Sequence, residues 1–99
     1  MRQKQVNLSC LNDIFFLSGE LDFSNAMLLY QNSLLQFSKF SKLQLDFSQL
    51  KTSNSIGIAL MIEWIRYAKD NNKSIQFLNI PDDLVAMTQV AGVESLLNA

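Results

Sequence analysis

A cluster of hydroxyl and amide side chains, Ser53, Asn54 and Ser55, stands between a polar stretch and a long apolar one. The apolar stretch begins at Ile56 and has helical length, so the cluster falls where a helix starts. Backbone N–H groups at a helix start lack intrahelical partners, and Ser or Asn there commonly serves as a cap. The helix dipole also favours negative charge at that end. Ser55 is therefore expected to be a helix cap, a phosphoacceptor, or both.

The acidic residues do not form a convincing general acid–base pair. Glu20 and Asp22 stand two positions apart beside a glycine, which fixes no geometry between their carboxylates. No second acidic motif accompanies them, and no glycine-rich phosphate-binding loop is present. We therefore expect Asp22 or Ser24 to cap the helix that follows and Asp46 to end a strand. The chain is predicted not to be an enzyme.

The residue types that most often bind metals or act as nucleophiles are scarce. The chain has no histidine and one cysteine, Cys10. This excludes the common zinc ligand sets and the Cys–His and Ser–His catalytic pairs within the chain, so no metal and no cofactor is expected. Cys10 falls in a predicted strand and is expected to be a small buried hydrophobe. A single cysteine cannot form an internal disulfide, which agrees with a reducing compartment.

Length and composition predict one globular domain over residues 1–99. Of the residues, 48% are hydrophobic and 17% are charged, which is far from a disordered composition. No apolar run reaches the roughly 18–20 residues of a membrane span, and no apolar signal core follows the basic start. We therefore expect a cytosolic protein without direct membrane insertion. A net charge of −1 argues against a nucleic-acid partner.

Hydrophobic patterning predicts the elements that position these residues. The predicted strands are Gln5–Cys10 (an edge strand), Ile14–Leu17 (an interior strand), Lys42–Phe47 and Ser74–Leu78, with a turn at Asn12-Asp13. The predicted helices run from Phe23 to about Phe37, from Ser55 to about Asn71 and from Pro81 to Val90, with Gly92 as a stop and a closing turn at Val93–Leu97. Polar loops are predicted at Ser18–Asp22 and Ser48–Asn54. The order ββαβαβα predicts an α/β fold, a small mixed sheet of about four strands with three to four helices.

The second predicted helix is unusually apolar. Its polar arc holds only Ser55, Glu63, Arg66 and Asp70, with Ala59 among them. The apolar arc is about twice as wide as the roughly 100° stripe that a surface helix needs. The excess is expected to lie against another layer of the protein or against a partner. Trp64 is assigned to the core, whereas Ile56 and Leu60, between the two arcs, are candidates for a contact surface.

Four short motifs taken together resemble the STAS domain family (sulfate transporter and anti-sigma-factor antagonist). They are Gly19-Glu20-Leu21-Asp22 after the second strand, Leu45-Asp46-Phe47-Ser48 at the third, Asn54-Ser55-Ile56-Gly57-Ile58 at the second helix, and Asn71-Asn72-Lys73 before the last strand. Each motif alone is weak, but they occur in the family's order over nearly the whole chain. The resemblance implies the STAS fold and a non-enzymatic module.

The family has two main small, stand-alone types. In anti-sigma-factor antagonists a loop serine is phosphorylated by a partner kinase. The other type is the cytosolic STAS subunit of the Mla phospholipid ABC transporter, which binds the transporter's ATPase. The aliphatic helix Ile58–Trp64, the segments Phe77–Pro81 and Val90–Glu94, and an early end after the third helix resemble the second type. Asn54 also replaces the family's acidic residue before the phosphoacceptor, and Lys51-Thr52-Ser53 replaces a mostly apolar stretch.

By resemblance, we expect the STAS subunit of a phospholipid-transport ABC complex in a Gram-negative bacterium. It would dock on the ATPase, which acts with its permease complex, and help to maintain outer-membrane lipid asymmetry. The predicted docking residues are Asp22, Ser53, Asn54, Ser55, Ile56, Ala59, Leu60 and Glu63. The alternative is an anti-sigma-factor antagonist regulated by phosphorylation of Ser55. A homodimer closed by the apolar arc of the second helix stays open.

Overall fold

The computed structural model describes residues 5–52, 55–90 and 92. Within them lie β1 (Val6–Leu11), β2 (Ile14–Leu21), α1 (Ala26–Phe37), β3 (Lys42–Thr52), α2 (Ile56–Asp70), β4 (Ser74–Leu78) and α3 (Asp82–Val90). The predicted α/β class and the order ββαβαβα are confirmed. Ser53, Asn54 and the predicted closing turn Val93–Leu97 lie outside the described residues.

The strands form one mixed sheet in the order β1-β2-β3-β4. β1 and β2 are antiparallel, whereas β3 is parallel to both β2 and β4. Asn12 and Asp13 join β1 to β2 with φ of 53° and 64°, a conformation that these residues tolerate and that suits the twist of a tight hairpin. The predictions that the first strand lies at an edge and the second in the interior are confirmed.

Two segments predicted as loops are strand in the structure. β2 continues through Leu21 and β3 through Thr52. The two extensions pair with each other, Gly19 with Leu50 and Leu21 with Thr52, after a register shift that follows Phe16. Leu21 and Leu50 are buried, so this pairing adds apolar side chains to the core from segments whose polarity is typical of loops. Asp46 consequently lies inside its strand and does not end it.

The core lies between one face of the sheet and the helices. α2 contacts β3 and β4 as well as both other helices, so it occupies the middle of the helical layer. Aromatic rings connect the layers: the ring centroids of Phe15 and Phe37 are 4.8 Å apart, and those of Phe47 and Trp64 are 6.3 Å apart. Both pairs meet edge to face, an arrangement that aromatic quadrupoles favour.

Trp64 is fully buried, which confirms its assignment to the core. Its indole N–H donates a hydrogen bond of 2.9 Å to the Ser33 hydroxyl, which donates in turn to the backbone oxygen of Tyr30 at 2.6 Å. A buried polar group left without a partner costs about 1–3 kcal/mol, so this pair fixes how α1 sits against α2. Much of the wide apolar arc of α2 is thus used within the molecule.

Three local predictions are wrong. Cys10 is exposed, because it lies beyond the groove in which residues of α1 flank the half-buried Val6 and Leu8 of the same strand. α1 begins at Ala26 and not at Phe23, and Pro81 precedes α3 without being its first residue. Pro81 instead accepts hydrogen bonds from the backbone N–H groups of Leu84 and Val85 on its carbonyl oxygen.

Among the described residues, no helix has both the length and the apolar character needed to cross a membrane.

Candidate functional site

The turn between β2 and α1 is held by the side chain of Asp22. Its Oδ1 accepts hydrogen bonds from the backbone N–H of Ser24 (2.9 Å) and of Asn25 (3.2 Å), and from the Ser24 hydroxyl (2.6 Å). Asn25 in turn accepts the Asp22 N–H on Oδ1 at 3.0 Å and donates to the backbone oxygen of Glu20 at 2.9 Å. Asp22 therefore stabilises the turn just before α1, but Asn25 and not Asp22 occupies the N-cap position of the helix.

Ser55 occupies the N-cap position of α2, and its side chain is exposed. Its backbone oxygen accepts the N–H groups of Ile58 (3.1 Å) and Ala59 (3.2 Å), but its hydroxyl makes no capping hydrogen bond. The hydroxyl is thus not needed to start the helix and is accessible from solvent. The neighbouring candidates Ser53 and Asn54 fall outside the described residues.

The outward side of α2 continues from Ser55 through Ala59, which is exposed, and Glu63, which is half-buried. Glu63 accepts a hydrogen bond of 3.1 Å from Arg66 in an exposed ion pair. Ile56 is half-buried beside Ser55. These residues therefore share one accessible strip along the first half of the helix.

Leu60 does not belong to this strip, contrary to the sequence prediction, because only 6% of it is exposed. It follows Gly57 by one turn on the flank of α2 that α3 covers. A methyl group added at Gly57 would lie 3.1 Å from Leu84 Cδ1 and 3.4 Å from Thr52 Cγ2. Glycine thus allows the start of α2 to rest against α3 and the end of β3, and this contact sets the position of Ser55.

Two exposed side chains of the α1 region extend the strip and were not singled out from the sequence. Phe23 is 68% exposed and Met27 is 71% exposed. α1 and α2 run in the same direction, since each connects two parallel strands, and Ser33 on α1 touches Trp64 on α2. Met27, six residues before Ser33, therefore lies level with Ile58, six residues before Trp64. Phe23 precedes α1 in the turn at the same end of the helix. The available signal was the lack of any charged residue between Asp22 and Lys39.

Tyr30 lies between the two helices at the same outer side. Burial raises the pKa of Tyr30 above its ordinary value, and the negative charge of Glu63 raises it further. The phenol therefore stays protonated near neutral pH and is available as a neutral hydrogen-bond donor. Tyr30 thus connects the α1 and α2 parts of the accessible strip without adding a charge.

Asp46 is the one acidic side chain that is buried in the described part of the chain, and it serves the fold. Its Oδ1 accepts the Ser48 N–H at 2.8 Å and its Oδ2 accepts the Asn79 side-chain amide at 2.8 Å. Burial raises the pKa of Asp46, but these hydrogen bonds outweigh it and hold the pKa below its ordinary value. A carboxylate that is bonded on both oxygens and stabilised as the anion is poorly suited to act as a general base.

Nothing in the described residues supplies a metal centre, since no three His, Cys, Asp or Glu side chains converge there. The strip on α1 and α2 offers exposed apolar side chains, one hydroxyl and one internally balanced ion pair. Such a surface is suited to binding another protein.

Comparison with known proteins shows what this chain is similar to. A family model described as "Mlab, STAS domain" matches residues 13–98. A chain of the Acinetobacter MlaFEDB complex in an ATP-bound Vtrans1 conformation is 30% identical, with a TM-score of 0.72 over 83% of this chain and 87% of that one. A search of curated proteins gives no match.

Two structures of SpoIIAA are also similar. The unphosphorylated anti-sigma factor antagonist SpoIIAA is 15% identical, with a TM-score of 0.71 over 93% of this chain and 84% of that one. The phosphorylated form of the Bacillus cell fate determinant SpoIIAA is 18% identical, with a TM-score of 0.65 over 90% and 85% of the two chains. At these identities the likeness shows a shared fold alone.

Proposed function

Because this chain belongs to the STAS domain family described as "Mlab, STAS domain", we propose that it is a non-enzymatic subunit of an Mla-type phospholipid-transport ABC complex. It binds the ATPase of that complex, together with its permease, and supports ATPase assembly or activity. The match to a chain of the Acinetobacter MlaFEDB complex, at 30% identity over most of both chains, supports this proposal. The complex would act at the cytoplasmic side of the inner membrane and help to maintain outer-membrane lipid asymmetry.

The proposed docking surface consists of Asp22, Phe23, Met27, Ser55, Ile56, Ala59 and Glu63. Ser53 and Asn54 are proposed to belong to it on their sequence position. The single observation that carries the assignment is the exposure of Phe23 and Met27 beside the accessible Ser55 hydroxyl. Aromatic and methionine side chains are enriched in protein interfaces, and uncompensated charges are depleted from interface centres.

The docking surface is largely pre-organised. The Asp22 turn is closed by several side-chain and backbone hydrogen bonds, and the start of α2 rests on α3 through Gly57. Little side-chain and loop entropy is then lost on binding, which favours affinity for a given contact area. The subunit thus offers a fixed surface to the ATPase and carries out no chemistry itself.

The first experiment is a pull-down of the tagged full chain from gently solubilised native membranes. We expect an ABC ATPase and its permease among the partners identified by mass spectrometry. Recovery of a serine kinase without an ABC ATPase would overturn the proposal.

Titration of the recovered ATPase with variants then tests the docking surface. Ser55→Glu, Ile56→Arg and Met27→Glu should each weaken binding about tenfold or more, a loss of about 1.4 kcal/mol. Gln76→Lys is the matched control, since it places a charge on an exposed residue of β4 outside the surface. Unchanged affinity in all three variants, with circular dichroism showing that they are folded, contradicts the assignment of the surface.

A second candidate function rests on the Ser55 hydroxyl, which is exposed and makes no capping bond. In an anti-sigma network, a kinase would phosphorylate Ser55 and place about −1.5 to −2 charges at the start of α2, where the dipole tolerates them and an apolar partner does not. Incubation with the cognate kinase and ATP should then add one phosphate by intact mass, and Ser55→Ala should prevent it. An unchanged mass rules out this alternative.

A further inference from the structure

Among the described residues, β1 is an edge strand without the usual protection against pairing. Natural edge strands are commonly blunted by lysine, proline, a bulge or a covering segment. Val6–Leu11 contains no charged residue and no proline, and its register with β2 is unbroken. Gln5 accepts the Glu20 N–H on its backbone oxygen at 2.9 Å. Because hydrogen-bonded pairs alternate in an antiparallel ladder, the backbone groups of Val6, Leu8 and Cys10 point away from β2.

A second apolar feature lies on the same side of the molecule. α1 contacts β1, and a groove of about 570 Å³ runs between them, lined partly by Leu8, Leu28 and Asn32. Leu28 and Leu35 are 63% and 75% exposed and lie two turns apart on one face of α1. The open strand edge meets this helix face at Leu28, which lines the groove together with Leu8. We call the uncharged surface formed by Val6–Leu11, Leu28 and Leu35 the edge surface.

We propose that a second copy of this chain binds the edge surface about a two-fold axis. The two β1 strands pair antiparallel into an eight-stranded sheet, and Leu28 of each copy packs against Leu35 of the other across the groove. A two-fold axis makes paired edge strands antiparallel and brings identical segments together. A charged residue on such a surface would lie close to the same charge in the other copy and would be repelled by it. The edge surface carries no charged residue.

Opposed residues must point to the same face of the sheet, so one residue of β1 lies opposite its own copy. The two registers that pair most of β1 place either Leu8 or Ser9 at that position. The first register pairs Val6 with Cys10, and the second pairs Leu8 with Cys10. From a rise of about 3.4 Å per residue, the two Cys10 residues lie about 14 Å apart in the first and about 8 Å apart in the second. Cys10 is exposed and thus reports on both.

The dimer goes beyond the proposed docking and leaves it intact, because the edge surface lies on the β1 side of α1 and the docking surface on the α2 side. Five paired residues of β1 and the two symmetry-related contacts between Leu28 and Leu35 fall at or below the standard interface of about 800 Å² per subunit. We therefore expect association in the micromolar range, which a dilute sample would miss.

The test is sedimentation equilibrium of the full chain from micromolar to submillimolar concentration. The mass should rise from 11.3 kDa towards twice that value. Ser9→Lys, which brings like charges together on paired strands, and Leu35→Gln should each weaken dimerisation about tenfold or more. Gln76→Lys, the same charge on the other edge strand, should have no effect. A monomer at every concentration, or an equal response to Gln76→Lys, overturns the proposal.

Cross-linking of Cys10 provides the second measurement. Bismaleimides with spacers of about 8 Å and about 14 Å should give a covalent dimer with at least one of them, and Cys10→Ser should abolish it. A dimer by mass that neither reagent cross-links would show that copies associate through another surface, such as the outer side of α2, and would also overturn the pairing through β1.

Discussion

At Asp46 a single buried carboxylate holds two parts of the chain with its two oxygens. One oxygen accepts the Ser48 N–H next to the register shift in β3, and the other accepts the amide of Asn79 after β4. Asn79 has a φ of 53°, a conformation that asparagine tolerates better than most residues. Asp46 thereby sets the path of the chain from β4 into α3, which in turn supports the start of α2.

We predict that the stabilisation contributed by Asp46 is lost at acidic pH. Its pKa in the folded state lies below the value of about 3.9 for an unfolded aspartate. The stabilisation is therefore complete above about pH 5 and is lost as the pH falls through the folded pKa. Asp46→Asn should lower the free energy of unfolding at neutral pH by about 1.5–3 kcal/mol, the value of hydrogen bonds to a charged group, and by less at pH 3.

Urea unfolding at both pH values measures this difference. Asp13→Asn is the matched control, since Asp13 is exposed in the β1–β2 turn and asparagine accepts its positive φ. If Asp46→Asn and the unchanged protein lose the same stability between neutral and acidic pH, the assignment of the pH dependence to Asp46 is wrong.

At the scale of elements, Gly57 decides how closely α2 approaches α3. Alanine has a better helix propensity than glycine by about 0.8–1.0 kcal/mol, which alone would stabilise α2. The added methyl would lie 3.1 Å from Leu84 Cδ1, and Leu84 is fully buried, so it cannot turn away into solvent. Overpacking typically costs about 1–3 kcal/mol, so crowding outweighs propensity.

We therefore predict that Gly57→Ala lowers the free energy of unfolding by about 1 kcal/mol and also weakens ATPase binding, because the start of α2 is displaced. Leu84→Val removes one carbon from the crowded side. In a double-mutant cycle by urea unfolding, the two substitutions should be less damaging together than the sum of their separate effects. Strict additivity would mean that the methyl at residue 57 does not meet Leu84.

At the scale of the whole molecule, α1 separates two accessible surfaces. Its α2 side carries Met27 within the docking surface, and its β1 side carries Leu28 within the edge surface, with Leu35 two turns further along the helix. Ser55, at the N-cap of α2, and Ser9, on β1, lie on opposite sides of α1. A dimer built on the edge surface could thus hold two ATPase partners at once.

Two matched serine substitutions test whether the surfaces act independently. Ser55→Glu should weaken ATPase binding and leave the dimer mass unchanged, whereas Ser9→Lys should do the reverse. In the double variant both losses should add within about 0.5 kcal/mol, as expected for distant sites. Titration calorimetry and sedimentation on the same samples provide the measurement. An effect of either substitution on both equilibria would contradict the separation of the two surfaces.

The sequence by itself determined the element order, the edge position of β1, the turn at Asn12-Asp13 and the burial of Trp64. These follow from local patterns, because turn preference and helical or strand periodicity are written within a few residues. The motif that marks the start of α2 was also local, so Ser55 could be identified before its surroundings were known. The structure then places its hydroxyl in solvent, free of the expected capping bond.

Only the tertiary structure decided the lengths of β2 and β3, the burial of Leu60 and the exposure of Cys10. Each depends on a neighbour distant in sequence: residues 18–21 are strand because residues 49–52 pair with them, and the flank of α2 that holds Leu60 is covered because Gly57 admits Leu84. Trp64 finds its hydrogen-bond partner in Ser33, 31 residues away. Pairing and packing between distant segments override local polarity, because burying apolar side chains and satisfying backbone groups outweighs the weak preferences of single residues.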